Sequence, residues 1–127
     1  MPGKYLYEYA IIRLVPRVER EEFLNVGVII FSRQARFIKA RYHLDEKRIL
    51  PFLGELDLGV ICDNLMAFDK ICAGAKEGGK VAGWESADRF RWLTAQRSSS
   101  IQTSRPHNGF SDDLEKTLER LLQEQVL

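Results

Sequence analysis

The sequence lacks an apolar run approaching the ~20 residues that a membrane-spanning helix needs. Near the first residue, Glu8 interrupts the apolar stretch that a signal peptide would require, so we expect a cytoplasmic protein with no membrane contact. Cysteine is scarce too. Cys62 and Cys72 lie about 15 Å apart in a predicted helix, beyond disulfide reach. Together with His43 and His107 they show no zinc-ligand spacing. We therefore expect a reducing compartment, no metal and no cofactor.

An excess of charge of one sign is also absent, because 19 basic residues face 18 acidic ones. This balance excludes a strongly basic nucleic-acid-binding surface over the whole protein. Charge is nonetheless uneven along the chain. Residues 1–48 carry a net charge of +4, and residues 76–110 carry +3. Residues 49–75 and residues 111–127 each carry −3. An anionic partner would meet the first or third segment, although scattered charge that serves solubility is the simpler interpretation.

No motif reveals a reaction. Residues 74–80 fit the letters of a phosphate-binding loop, but a predicted helix precedes them and Val81 replaces the hydroxyl that would bind magnesium. His107, Asp112 and nearby serines could form a nucleophilic triad, yet no nucleophile-elbow pattern accompanies them. Asp112 has a sufficient role in the first turn of a helix. The sequence therefore assigns no catalytic residue.

The hydrophobic pattern predicts one α+β domain over residues 1–127, an antiparallel sheet of three to five strands with helices packed against it. The predicted strands are residues 5–15, 25–32, 37–42 and 98–103. The second and third form an antiparallel hairpin beside the first. Because both faces of the first strand are largely apolar, it should be central. Gly27 inside the second strand indicates a bulge or a close approach of another backbone.

Helices are predicted where apolar residues recur at helical spacing. A short helix within residues 43–53 is broken at Pro51, and a longer one begins after an Asp57 cap and ends near Gly74. Ser86 and Ser111 are the predicted caps of the third and fourth helices. Residues 76–83 are predicted to form a flexible loop and residues 106–109 a turn.

The segment from Arg89 to Arg105 combines forked arginine donors with serine and threonine hydroxyls, a mixture that suits a phosphate or a carboxylate. Trp92 could stack on a base or on a partner's side chain. Alternatively, Trp92 belongs to the core and the arginines are solvated. A phosphate site would bring Arg91, Arg97 or Arg105 together with Thr103 in one concave pocket.

A second polar group lies between the first two predicted strands. It consists of Arg13, Arg17, Arg20 and Asn25. Arg13 interrupts an otherwise apolar strand face, and a buried arginine needs a partner. Glu8 or Glu22 could supply it, so a structural salt bridge is favoured over a ligand site.

With these residues in view, the sequence resembles a bacterial family of small proteins of unknown function. The resemblance covers essentially the whole chain. It rests on Tyr9–Arg13 with Pro16–Ile29, and on Arg91–Ala95 with Ile101–Ser104 and Gly109. Genes of that family often neighbour genes for HipA-like serine/threonine kinases. The resemblance implies an accessory or partner protein of a kinase-linked or toxin–antitoxin-like pair, and it implies no catalytic residues.

The leading hypothesis is therefore a cytoplasmic module that binds a protein partner, for which the resemblance suggests a HipA-like kinase. The alternative is an enzyme or binder that acts on a phosphorylated ligand or, with weaker support, on a nucleic acid. We expect the connection 16–25 and the turn 102–109 to form one binding surface. The predicted binding residues are Arg13, Arg17, Arg20, Asn25, Arg91, Gln102, Thr103, Ser104 and Arg105.

Overall fold

The computed structural model describes residues 4–17, 20, 22–54, 56–95 and 100–127. Within these residues the fold is α+β, as predicted, with a five-stranded antiparallel sheet and four α-helices. The elements in chain order are β1 (Tyr5–Leu14), β2 (Leu24–Ser32), β3 (Phe37–Tyr42), α1 (Glu46–Leu53), α2 (Leu58–Ala73), α3 (Ser86–Thr94), β4 (Ile101–Thr103), β5 (His107–Ser111) and α4 (Leu114–Gln125).

β1 is the central strand of the sheet, as its apolar faces predicted. β2 pairs along one side of β1, and β3 follows β2 as the outer strand, so the predicted hairpin and its position are confirmed. On the other side of β1, two short strands share one edge. β4 places Thr103 opposite Ile12, and β5 places His107 opposite Tyr9.

Gly27 lies at a β-bulge, where the register of β2 against β1 shifts between Ile12 and Arg13. The neighbouring strand β3 also passes close to this glycine. A Cβ at position 27 would lie 2.6 Å from the carbonyl oxygen of Arg41. Both reasons that the sequence suggested for a glycine in this strand therefore apply.

Helices cover both faces of the sheet and bury two separate hydrophobic cores. The alternation of side chains along β1 sends Ala10 and Ile12 to one core and Tyr7 to the other. The first core lies beneath α1, α2 and α3, and in it the rings of Phe31 and Phe90 stack with centroids 5.3 Å apart. The second core lies beneath α4, whose buried residues are Leu114, Thr117, Leu118, Leu121 and Leu122.

The ends of α2 agree with the prediction. The Asp57 carboxylate accepts the N–H of Gly59 at 3.0 Å, and Gly74 ends the helix in the left-handed conformation with φ of 70°. The predicted break of α1 at Pro51 is wrong, because the helix continues through this residue to Leu53. Pro51 lacks the N–H that would donate to the carbonyl group of Lys47, so it removes one helical hydrogen bond without ending the helix, which ends two residues later.

The two predicted serine caps are wrong. Ser86 is the first residue of α3 itself, and Glu85 precedes it without a capping side-chain hydrogen bond. Ser111 belongs to β5. Two residues later, the Asp113 carboxylate caps α4 by accepting the N–H of Lys116 at 3.2 Å. The negative charge of Asp113 also complements the positive helix N-terminus.

Two segments predicted to be irregular have regular structure. Residues 76–83 contain two short 3-10 helices, Lys76–Gly78 and Val81–Gly83, and Ala82 in the second of them is buried. Residues 107–109 are part of β5 instead of a turn, because they pair residue by residue with β1. Asp112 lies before α4 and not in its first turn, and it accepts the N–H of Lys4 at 3.0 Å.

Candidate functional site

Part of the sheet face that carries α4 is left uncovered by the described helices. α4 packs on β2 and β3, whereas side chains on the same face of β1, β4 and β5 remain partly or fully exposed. We call these residues the open sheet face: Tyr9, Ile11, Arg13, Gln102 and His107. Cross-strand pairing joins them, since Arg13 lies opposite Gln102 and Tyr9 opposite His107.

Arg13 occupies the middle of a polar row that crosses three strands. Its partner on β2 is Asn25 and its partner on β4 is Gln102. The sheet thus brings one residue from each of the two predicted stretches, 16–25 and 102–109, to opposite sides of the same arginine. Of these two pairings, that of β1 with β2 joins consecutive strands, whereas that of β1 with β4 joins strands far apart in the chain.

The predicted salt bridge of Arg13 with Glu8 or Glu22 is wrong. Its guanidinium carbon instead lies 4.0 Å from the centroid of the Phe23 ring, a cation–π contact worth about 0.5–1 kcal/mol at an exposed site. Glu22 forms an ion pair with Arg20 at 2.7 Å. Glu8 is an even-numbered residue of β1, so it lies on the opposite face of the sheet from Arg13.

Arg13 and Asn25 each retain a buried polar atom without a hydrogen bond. These atoms are Nε of Arg13 and Oδ1 of Asn25. The amide nitrogen of Asn25 is used, since it donates to the carbonyl oxygen of Gln125 at the end of α4 at 2.9 Å. Unpaired buried groups are uncommon in folded proteins and cost about 1–3 kcal/mol each. They mark this pair as the polar centre of the open sheet face.

Arg17 and Arg20 lie beyond the end of β1 and line a separate cavity of about 280 Å³, together with Pro16, Glu22 and the last turn of α1. Both arginines are exposed. The carbonyl groups at a helix C-terminus carry partial negative charge. This cavity therefore combines two cations with groups that disfavour an anion.

Arg91 lies on the other side of the sheet, where it lines a cavity with Trp84, which precedes α3, and with Asp88 and Trp92 of α3. Trp92 is half-buried and packs against the first core. The Arg91 guanidinium is 3.7 Å from the Asp88 carboxylate. The structure therefore does not place Arg91 on the open sheet face. Arg97, Ser98 and Ser99, which the sequence grouped with it, lie outside the described residues.

Thr103 and Ser104 use their hydroxyls within the protein. Thr103 donates to the carbonyl oxygen of Thr94 at the end of α3 at 3.4 Å. Ser104 is buried, and its hydroxyl accepts the N–H of Ile11 at 2.9 Å and donates to the carbonyl oxygen of Arg105 at 3.1 Å. Arg105 is exposed in the bend between β4 and β5.

Sequence reasoning did not assign three aromatic residues to the binding surface. They are Phe23, whose ring contacts Arg13, and Tyr9 and His107, whose rings lie 5.4 Å apart farther along the open sheet face. Alternation along β1, which puts Tyr9 and Arg13 on one face, was the available signal for Tyr9. The position of Phe23, two residues before Asn25, carried no comparable signal because no regular element begins there.

Two kinds of site are missing from the part of the chain that the structure describes. It contains no group of three or more His, Cys, Asp or Glu side chains able to hold a metal ion. None of its helices combines the length and apolarity needed to cross a bilayer.

Comparison with known proteins identifies the family. The family described as Protein of unknown function (DUF3037) matches residues 9–126. The chain belongs to this family. The match begins at Tyr9, the first residue of the open sheet face, and extends through α4, so the DUF3037 region contains every residue that builds this face. No curated protein and no solved structure matches the chain.

Proposed function

We propose that this DUF3037 chain is a module that binds a protein partner through the open sheet face. The observation that carries the proposal is the row of Asn25, Arg13 and Gln102 across the sheet. Arginine and tyrosine are among the residue types enriched at binding hot spots. Here they project from strands, which hold side chains more rigidly than loops do.

The placement of the arginines favours a protein over a phosphorylated or nucleic-acid ligand. A phosphate site needs several cationic donors that converge on one point. The arginines of the alternative hypothesis are instead dispersed, because Arg91 pairs with Asp88 and Arg17 lines the cavity beside α1.

The first partner to test is a HipA-like kinase, which is the partner that the sequence resemblance implies. Binding would take place in the cytoplasm. The role of the chain in such a pair is that of an accessory subunit, and the proposal assigns it no reaction of its own.

The experiment co-expresses the chain with a HipA-like kinase and measures the affinity of the purified pair by calorimetry. Replacing Arg13 and Gln102 together by alanine should weaken binding by about thirtyfold, which corresponds to about 2 kcal/mol. The matched control is Arg33→Ala, an exposed arginine in the turn between β2 and β3. Equal affinities for the double variant and the control, with both proteins folded, would refute the proposal.

The alternative ligand has its own measurement. A single-stranded oligonucleotide is titrated against the chain at increasing salt concentration. Affinity that falls steeply with salt, combined with no binding to the kinase-like protein, would support the nucleic-acid alternative and overturn the protein-partner proposal.

A further inference from the structure

The ion pairs between α4 and β3 show that α4 runs along the strands of the sheet. Lys39 lies 3.0 Å from Glu115. Two residues farther along β3, Arg41 lies 2.8 Å from Glu119, which is four residues farther along α4. The two steps are similar in length, since two strand residues span about 6.8 Å and four helical residues rise about 6 Å. About one helical turn of α4 therefore lies above every two residues of a strand.

The open sheet face has the width of one more helix beside α4. Because α4 packs on β2 and β3, the uncovered part of this face consists of β1 and the edge that β4 and β5 share. Neighbouring strands are about 4.8 Å apart, so the middle of the uncovered part lies about 10 Å from the axis of α4. Packed helices have axes about 8–10 Å apart. A second helix on the sheet would thus pack against α4 at an ordinary distance.

Three residues of β1 form the floor on which such a helix would lie. Alternation along the strand puts Tyr9, Ile11 and Arg13 on this face, and all three are half-buried. None of the ion pairs between described residues includes Arg13. Its guanidinium lies over the Phe23 ring, and a stacked guanidinium keeps in-plane N–H groups with which it can bind a carboxylate. The floor therefore offers one cation and two partly apolar side chains.

We propose that the open sheet face binds an amphipathic helix of the protein partner, an inference that rests on the function proposed above. The helix lies beside α4 and along β1, and one of its carboxylates binds Arg13. Because one helical turn spans two strand residues, an apolar side chain four positions farther along contacts Ile11. A second apolar side chain, one turn later, contacts Tyr9. Anchors one turn apart are typical of helices that bind in a groove through one face.

A second copy of this chain is a poorer occupant. The open sheet face contains a cation and no carboxylate, so two copies joined face to face would leave Arg13 without an opposite charge. A helix from another surface of a second copy would make a head-to-tail contact, whereas soluble oligomers most often use two-fold contacts. A partner of different sequence can supply the carboxylate.

The test uses fluorescence anisotropy with the full chain and a labelled peptide of about 16 residues, held helical by lactam bridges on its solvent face. The peptide carries one glutamate and, about four and eight positions later, two leucines. Its matched control carries lysine in place of the glutamate. The glutamate peptide should bind about tenfold more tightly, because the control places a like charge opposite Arg13. Equal affinities of the two peptides would overturn the proposal.

Two further measurements test the charge and the helix separately. Arg13→Glu should reverse the preference, so that the lysine peptide binds more tightly. The matched control is Lys47→Glu, which makes the same change of charge at an exposed residue of α1, on the other side of the sheet, and should preserve the preference. A central proline, which breaks the peptide helix, should abolish binding. Retained binding of the proline peptide, or a dimer of the chain alone that Arg13→Glu dissociates, would contradict the proposal.

Competition with a HipA-like kinase distinguishes this inference from the proposed function. The glutamate peptide should displace the kinase from the chain. A kinase that binds through Arg13 and Gln102, combined with a glutamate peptide that does not bind, would refute the helix and leave the proposed function intact. A glutamate peptide that binds with the expected charge preference, combined with a kinase that does not bind, would support the helix and refute the kinase as the partner.

Discussion

The ring of Tyr7 on β1 lies over Gly109 on β5, so closely that a Cβ at position 109 would be 2.5 Å from Cζ of the tyrosine. Tyr7 is buried against α4 in the second core. The glycine therefore supplies the space in which an aromatic side chain covers the edge strand. This relationship explains why a segment rich in turn-forming residues becomes a strand.

Replacing Gly109 by alanine should destabilise the fold by about 1–3 kcal/mol, because the added methyl group displaces a buried ring. Urea denaturation monitored by circular dichroism measures the change. Gly83→Ala is the matched control, since a Cβ at position 83 has no atom within 4 Å among the described residues. The explanation of β5 fails if the two alanine variants lose the same stability.

Replacing Ser104 by alanine should lower stability by about 1–3 kcal/mol, because the N–H of Ile11 loses its acceptor in a part-buried site. Affinity for a protein partner should change little, since the hydroxyl faces backbone groups and not solvent. Thermal denaturation and a binding titration on the same variant separate the two effects. A variant of normal stability with weakened binding would instead assign Ser104 to the binding surface.

Replacing Arg13 by alanine should cost about 1 kcal/mol or less, because the substitution removes the cation–π interaction with Phe23 and breaks no ion pair with Glu8 or Glu22. Chemical denaturation provides the measurement, with Phe23→Leu as a second variant that removes the same interaction. A decrease of several kcal/mol would show that Arg13 is primarily a structural residue.

The two cysteines should differ in reactivity. Burial, followed by the charge of Asp69, raises the pKa of the Cys72 thiol from 9.0 to about 12, whereas Cys62 is half-buried and lines an open groove on α2 beside Met66. Since the thiolate is the reactive form, iodoacetamide at pH 8 should alkylate Cys62 first, as peptide mass spectrometry would show. Equal rates would contradict the burial of Cys72.

The raised pKa of Cys72 should lower the stability of the fold at alkaline pH. A thiol whose pKa is raised by folding stays protonated in the native state while the unfolded chain ionises. The stability linked to Cys72 is therefore complete below pH 9 and is lost as pH rises toward 12. Cys72→Ala should show a smaller decrease in unfolding free energy over that range than the unaltered chain, and an identical decrease would exclude this linkage.

The sequence predicted the elements whose pattern is local. Alternation identified β1, β2 and β3, and the spacing of apolar residues with Asp57 and Gly74 identified α2. The sequence did not predict the elements that depend on contacts between residues far apart in the chain. β5 forms because β1 is there to pair with it, and the capping residue of α4 depends on Ser111 first being used in that strand.

The sequence predicted only part of the candidate site, because the rest depends on contacts between residues far apart in the chain. Arg13, Asn25 and Gln102 were each identified, and the register of three strands places them in one row. The contact with Phe23 and the distribution of Arg17 and Arg91 over other surfaces depend on tertiary packing. No local pattern contains that information.

The most direct test of the proposed function compares two double variants in calorimetric titrations against a HipA-like kinase, the proposed partner. Arg13→Ala with Gln102→Ala removes two residues of the row, whereas Arg17→Ala with Arg105→Ala removes exposed arginines outside the open sheet face. We expect the first to weaken binding by about thirtyfold and the second by less than about threefold. Full affinity in the first variant, or a larger decrease in the second, would contradict the assignment of the partner to the open sheet face.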